Sequence, residues 1–202
     1  MFTGLVQRIG IISAIEATSA GKCLKLSCAP WEFPVTEGES ISINGCCLTV
    51  VAFTMDGEEL MLSFDVVPES LAKSTLDMTE TGSEVNIERA LRADSLVGGH
   101  QVQGHIDAIE QILEVTRNED TETRIRCSMR NVDRDAVVPK GSITIDGISL
   151  TIASVDLETF EVVLVPTTLR DTTLGKANVG DHVNIETDII ARTVVRVLRN
   201  MR

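Results

Sequence analysis

Nine residues of the first half, Ser42-Ile43-Asn44-Gly45-Cys46-Cys47-Leu48-Thr49-Val50, return in the second as Thr144-Ile145-Asp146-Gly147-Ile148-Ser149-Leu150-Thr151-Ile152. Val67-Pro68-Glu69-Ser70-Leu71 likewise returns as Val165-Pro166-Thr167-Thr168-Leu169, and Val85-Asn86-Ile87-Glu88 as Val183-Asn184-Ile185-Glu186. Gly45 and Gly147 lie 102 residues apart and Val85 and Val183 98 apart, so the copies stay in register apart from short loop insertions and deletions. A repeat of this length is several times a solenoid unit, so each copy has to close around its own core. The chain of 202 residues, 43% apolar, has room and hydrophobic material for two such cores. The division expected is a first copy over residues 1–97, a second over 98–188 and a tail over 189–202.

Periodicity makes both copies β-rich. Ile41-Ser42-Ile43, Glu59 to Val67, Glu84 to Glu88, Ser142 to Ile145, Phe160 to Val165 and His182 to Glu186 alternate or run apolar with β-branched enrichment. Asn44-Gly45 and Asp146-Gly147 fall between apolar runs at matching places and carry the preference of a type I′ hairpin. Many short antiparallel strands in a hundred-residue unit predict a small barrel, Greek-key or up-and-down, whose closure removes open edges. Pro68 to Leu76 and Pro166 to Leu174 each open with a proline suited to a first helical turn, with hydroxyls available to cap backbone donors. From Ile190 the residues Val194, Val197, Leu198 and Met201 follow on one helical face, with Arg192, Arg196 and Arg199 on the other. This tail either docks on its own barrels or serves as an oligomerisation helix.

A net charge of −12 disfavours polyanionic partners, so neither nucleic acid nor an acidic membrane face is expected. No apolar run approaches the length of a membrane span and no basic leader precedes an apolar core, which points to the cytoplasm. The five cysteines, at 23, 28, 46, 47 and 127, form no C-x-x-C pair and read as free thiols rather than a disulfide or zinc framework. Cys46 and Cys47 are adjacent on a strand, so their side chains leave opposite faces.

The copies differ where chemistry resides. Aligning Thr3-Gly4-Leu5-Val6 with Gln103-Gly104-His105-Ile106 sets Leu5 opposite His105, and the repeated hairpin sets Cys47 opposite Ser149. One barrel is expected to offer an apolar residue and a thiol, the other an imidazole and a hydroxyl. The glycine density around Gly98-Gly99-His100 to Gly104-His105 suggests close backbone approach. His100 and His105 stand five apart on a strand and converge on a metal only through a bend, so metal binding is not expected. Taken singly, Cys47 reads as a small buried residue, His182 as a surface residue, and Asn184, Glu186 and Asp188 as solvated positions beside the last strand.

The ordered set Met1-Phe2-Thr3-Gly4-Leu5-Val6, Asn44-Gly45-Cys46-Cys47-Leu48-Thr49-Val50, Gly98-Gly99-His100 to Gly104-His105, Lys140-Gly141-Ser142, Asp146 to Thr151, Thr172-Thr173-Leu174-Gly175 and Val183-Asn184-Ile185-Glu186 resembles riboflavin synthase of the α-chain type. The resemblance covers nearly the whole chain. It implies an all-β fold of two homologous six-stranded Greek-key β-barrels in tandem with a C-terminal α-helix that trimerises. The implied reaction is dismutation of two 6,7-dimethyl-8-ribityllumazine molecules to riboflavin and 5-amino-6-ribitylamino-uracil, without metal or redox cofactor. Homotrimerisation and association with lumazine synthase are the partners implied.

By the same resemblance the catalytic set is His105, Ser149, Thr151 and Asp188 of the second copy facing Cys47 and Ser70 of a neighbour's first copy, with Phe2 and Thr3 near the reacting rings. The implied substrate contacts are Gly4, Leu5 and Val6; Cys47, Leu48 and Thr49; and Asp65, Val66, Val67, Pro68, Glu69 and Ser70. In the second copy they are Gly104, His105 and Ile106; Lys140; Ser149, Leu150 and Thr151; and Val165, Pro166, Thr167, Thr168 and Leu169. Ser70 stands where the family often has threonine, and Val66-Val67-Pro68 departs from some relatives. The alternative is a non-catalytic lumazine- or flavin-binding antenna of the same fold, which should have lost reacting groups that this chain retains.

Overall fold

Apolar and polar residues alternate along β1 (Arg8–Thr18), β2 (Gly21–Cys28), β3 (Ser40–Ile43), β4 (Cys46–Asp56), β5 (Glu59–Val66) and β6 (Glu84–Arg89). Their inward set includes Leu24, Leu26, Leu62, Phe64, Val85 and Ile87, all buried in one cluster. In the computed structural model, which describes residues 1–118 and 122–201, these strands close into a barrel in the order β1-β2-β5-β4-β3-β6. The second copy repeats the order with β7 (Ala108–Arg117), β8 (Thr123–Ser128), β9 (Ser142–Ile145), β10 (Ile148–Val155), β11 (Thr159–Leu164) and β12 (His182–Thr187). Each is a closed Greek-key barrel, with the last strand pairing with the first.

The copies match in detail. Bulges fall at Ile12/Ala14 and Ile112/Glu114 in the first strands and at Val50/Ala52 and Ile152/Ser154 in the fourth, bending long strands around a small barrel. Asn44 (φ 45°) and Gly45 (φ 81°) form the type I′ turn in one copy, and Asp146 (φ 48°) and Gly147 (φ 76°) form it in the other. The proline-led segments make α1 (Pro68–Lys73) and α2 (Pro166–Asp171), each followed by a 3-10 turn, Thr75–Met78 and Thr173–Lys176. Hydroxyl capping is confined to Ser74, which accepts from Leu76 N; the residues ahead of α1 and α2 are Val67 and Val165, which cannot cap.

The barrels are locked together by the residues expected to be solvated. Asn184 and Glu186 are 0% and 1% exposed, and their counterparts Asn86 and Glu88 are buried as well. The outer faces of β6 and β12 meet the other copy instead of water, so polar letters there form hydrogen bonds between barrels. Asn184 donates to Asn44 O (2.8 Å) and accepts from Thr75 N (2.7 Å), while Asn86 donates to Asp146 O (3.1 Å) and accepts from Thr173 N (2.9 Å). The two hairpins abut so closely that a Cβ on Gly45 would sit 2.7 Å from Gly147 N.

The segments leading into β1 and β7 cross between barrels. Phe2 and Val102 form an antiparallel bridge, after which Val6 packs against the core of the second barrel and Ile106 against that of the first. Ser149 N donates to Gly4 O and Cys47 N to Gly104 O, both at 2.8 Å.

α3 (Ile189–Asn200) begins at Asp188, whose carboxylate accepts from Ile190 N (2.7 Å) and Ala191 N (3.3 Å). The helix lies on the second barrel through its arginines: Arg199 pairs with Asp133 and Asp135, and Arg192 with Asp107. Ile190, Val194, Val197, Leu198 and Met201 remain exposed. Docking within the subunit therefore uses the polar face and leaves the apolar one outward.

Candidate active site

The crossing of the leading segments builds two half-sites, each from one barrel wall and the other copy's leader. On the first barrel, Cys47 and Thr49 point outward from β4, and Val50 pairs with Phe64, so Thr49 stands at the strand end that runs into Asp65, Val66 and Val67. The segment Gly104-His105-Ile106 lies over this wall, close enough that a Cβ on Gly104 (φ 81°) would meet Cys47 Cβ at 2.7 Å and the Phe2 ring at 2.9 Å. Only glycine fits there. On the second barrel, Ser149 and Thr151 alternate with the buried Ile148, Leu150 and Ile152 of β10 and so face outward, and Gly4-Leu5-Val6 lies over this wall.

This exchange corrects the sequence-based distribution of chemistry. The imidazole of His105 belongs to the segment beside the thiol of Cys47, and the apolar Leu5 to the segment beside the hydroxyl of Ser149. Ser149 gains a different imidazole: His100 Nδ1 lies 2.7 Å from Ser149 Oγ. Gly99 permits this approach, since a Cβ there would stand 2.1 Å from Thr3 O and 2.9 Å from Ser149 Oγ. His100 N donates to Thr3 O at 3.2 Å, fixing the backbone on which the imidazole sits. Burial pulls the His100 pKa below the ordinary imidazole value, while the negative charge of Asp188 acts in the opposite sense. A largely neutral imidazole hydrogen-bonded to a hydroxyl is a competent proton acceptor near neutral pH. Sequence comparison missed this pairing, because the aligned segments start at Thr3 and Gln103; the Gly98-Gly99-His100 run was its one signal.

The remaining residues named from sequence divide. Thr3 is buried, and its N–H and hydroxyl both donate to Glu88 at 2.7 Å, which anchors the leader rather than freeing it for chemistry. Ser70 in α1 accepts through its carbonyl from Ser74 Oγ at 2.6 Å, and the Ser70 and Ser74 hydroxyls lie against Cys46. Burial, with the neighbouring Cys47 adding to it, pushes the Cys46 thiol up to about 11, and those two hydroxyls only temper the rise. Cys46 is thus an inert core thiol, and Ser70 is set toward it rather than toward Cys47. Leu48 and Leu150 are core residues of their own barrels, and Leu169 packs on the second core. Pro68 and Glu69 open α1 and Pro166, Thr167 and Thr168 open α2, at the rims of the two walls.

Lys140 is one of three non-glycine residues in the left-handed region among the described residues (φ 66°), and its N–H donates to Ile152 O at 2.8 Å, next to Thr151. Its counterpart in the first copy is Gly38 (φ 82°), which donates to Val50 O in the same way. A lysine held where the first copy has glycine costs about 1 kcal/mol of backbone strain.

Both halves of the chain match a family model described as the lumazine binding domain, over residues 3–90 and 103–188. The crystal structure of LumP complexed with riboflavin superimposes with a TM-score of 0.74 at 27% identity, covering 93% of this chain and 99% of that one. LumP complexed with 6,7-dimethyl-8-(1'-D-ribityl) lumazine gives 0.73 at 25% identity, with the same coverage. Fold and site thus define a tandem lumazine-binding protein. Riboflavin synthase of Mycobacterium tuberculosis is 42% identical over 203 residues, 99% of each chain, and that of Bacillus subtilis is 35% identical over 201 residues, 98% of this chain and 90% of its own. The chain belongs to the riboflavin synthase family.

Proposed function

We propose that the protein catalyses the dismutation of two 6,7-dimethyl-8-ribityllumazine molecules into riboflavin and 5-amino-6-ribitylamino-uracil, by transfer of a four-carbon unit from one to the other. The observation that carries this reading is the pair of half-sites with one backbone and unequal side chains: Cys47 with the His105 segment on one barrel, and Ser149 with His100 on the other. A reaction in which one copy of a substrate donates and an identical copy accepts requires two similar pockets with different proton chemistry.

The steps required are removal of a proton from the acidic 7-methyl group of one lumazine, addition of a nucleophile or hydroxide at C7 of the other, and proton transfers through the adduct and its fragmentation. His100, neutral and bonded to Ser149, is assigned the first proton, with Ser149 Oγ as the relay. Asp188 keeps the imidazole from losing all its basicity. His105 and Cys47 supply the donors and acceptors of the other half-site. Backbone groups of Gly4 to Val6 and Gly104 to Ile106 suit the pyrimidinedione edge, and Thr49, Thr151 and Lys140 suit ribityl oxygens. Holding two ring systems in reacting register supplies up to roughly 7 to 11 kcal/mol of the acceleration.

Both walls are open in the single chain, with Leu5, Thr49, His105 and Thr151 exposed, so each half-site is to be closed by a neighbouring subunit's opposite half-site. The outward apolar face of α3 supports assembly into a homotrimer. A cytoplasmic location and association with lumazine synthase belong to the same reading. No helix among the described residues is long and apolar enough to cross a membrane.

The test is to mix metal-stripped protein with 6,7-dimethyl-8-ribityllumazine and follow both compounds. One riboflavin formed for every two lumazines consumed supports the synthase. Tight binding without turnover moves the protein to the antenna class that the likeness to LumP represents.

A further inference from the structure

The carboxylate of Glu186 gathers the N–H groups of Gln103 (2.8 Å), Gly104 (2.9 Å) and His105 (3.1 Å), the segment that lies over Cys47. Glu88 does the same for Thr3 and Gly4 in the first copy. The copies part at the guanidinium. Arg192, in the first turn of α3, donates through Nη1 to Asp107 Oδ1 and through Nη2 to Gln103 Oε1 (2.8 Å), and the guanidinium lies 3.8 Å from Glu186 Oε1. Asp107 also accepts from Thr187 N (2.8 Å) and Thr187 Oγ1 (2.7 Å), so the guanidinium fork ties the last strand, the leader and the helix at one point. In the first copy Gln7 stands in place of Asp107, and Arg89, the residue after Glu88, turns away to Glu39.

We propose that Arg192 is a positioning residue of the reaction: through Gln103, Asp107 and Glu186 it fixes the segment that carries His105 over Cys47, and so couples the seating of α3 to the geometry of the first half-site. The inference rests on the synthase reading. Its physical basis is charge and geometry together. Asp107 and Glu186 bring two carboxylates to one segment, and Arg192 is the cation bonded between them; removing it leaves them to repel and frees Gln103. Misplacement of a reacting group by about 1 Å costs up to roughly a hundredfold in rate. The Gly4–Leu5 leader is held instead through Gln7, whose Oε1 accepts from Arg89 N (3.2 Å), with no guanidinium bonded to it from α3 among the described residues, so the effect is confined to one half-site.

The experiment uses the full chain with Arg192→Met, Arg192→Lys and Gln103→Ala, measuring kcat, KM, mass and hydrogen–deuterium exchange of peptides covering residues 101–107 and 2–7. Arg192→Met is expected to lower kcat about tenfold with KM within about twofold, and to raise exchange in 101–107 while 2–7 stays as in the parent. Arg192→Lys keeps the charge without the fork and is expected to recover only part of kcat. Gln103→Ala cuts one arm of the tie and is expected to cost about threefold, and the double variant is expected to be no slower than Arg192→Met alone. Unchanged exchange in 101–107, equal loosening of 2–7, or losses that multiply in the double variant would overturn the proposal. If the parent forms no riboflavin the synthase reading fails, and the exchange data still decide whether Arg192 holds the segment.

Discussion

Replacing Ser149 by Ala and His100 by Gln, singly and together, tests the central assignment. The contact is 2.7 Å and half-buried, and His100 is the sole imidazole bonded to that hydroxyl among the described residues. Positioned acid–base groups contribute about 10²- to 10⁴-fold. The lower end applies, because each variant still holds two substrates in register and orientation survives the substitution. Each single change is therefore expected to lower kcat about 10²-fold, or ~2.7 kcal/mol at ~1.36 kcal/mol per tenfold. If the pair passes one proton as a unit, the double variant loses about the same 10²-fold; independent roles would multiply to about 10⁴-fold. The assay is initial-rate riboflavin formation at saturating lumazine across pH. Burial lowers the His100 pKa, so the acid limb of the parent lies below the ordinary imidazole range and disappears in His100→Gln. Asp188→Asn removes the charge that raises that pKa, so the limb moves to still lower pH. A double variant at 10⁴-fold, or an acid limb unmoved in His100→Gln, refutes the dyad.

Asn184→Ala removes the partners of Thr75 N and Asn44 O inside the barrel interface and is expected to cost about 2–5 kcal/mol in urea unfolding; a loss under about 1 kcal/mol would show that the interface carries little of the stability. Asp146, buried in its hairpin, is raised to about 7 by burial, partly offset by the hydrogen bond from Asn184 N. A raised carboxyl pKa stabilises the fold fully below the unfolded value and loses that contribution as pH climbs through the folded one, so parent stability falls between about pH 4 and 7. Asp146→Asn copies Asn44 of the other hairpin and is expected to gain on the order of 2 kcal/mol at pH 8 and to flatten that fall; a loss of stability at pH 8 in thermal melts would contradict it. Val194→Glu with Leu198→Glu on the outer face of α3 is expected to reduce the mass in light scattering to that of one chain, and an unchanged oligomer would remove α3 from assembly.

The barrels were legible because their signals are local. Alternation marks strands such as Phe160 to Leu164, and Asn44-Gly45 and Asp146-Gly147 need positive φ at both positions, which those residues tolerate best. The short strands argued for a closed barrel, but the choice of Greek-key over up-and-down order is long-range and came only through the resemblance. The outer face of β12 was misread because Asn184 and Glu186 at alternate positions look the same whether water or a second barrel faces them. His100 was seen amid its glycines, but nothing in the sequence says that Gly99 brings it to Ser149. The alignment of Leu5 with His105 is correct residue by residue; what it lacks is which barrel each one covers.

That missing fact determines the chemistry. Two copies furnished independently would put the thiol with leucine and the hydroxyl with histidine, one half-site rich in proton acceptors and the other poor. Exchange of the leaders gives Cys47 its imidazole, His105, on the segment over it, while Ser149 takes His100 from the stretch of its own copy that precedes the crossing. The two imidazoles are nonetheless unequal. His100 is held by a direct hydrogen bond in a half-buried setting, whereas His105 is exposed and, among the described residues, hydrogen-bonded through its backbone alone, to Glu186, beside the Arg192 tie. A duplicated domain acting on two identical molecules needs this division, because one molecule must lose a proton at a rigid site while the other accepts a carbon unit and changes shape as the adduct forms and breaks.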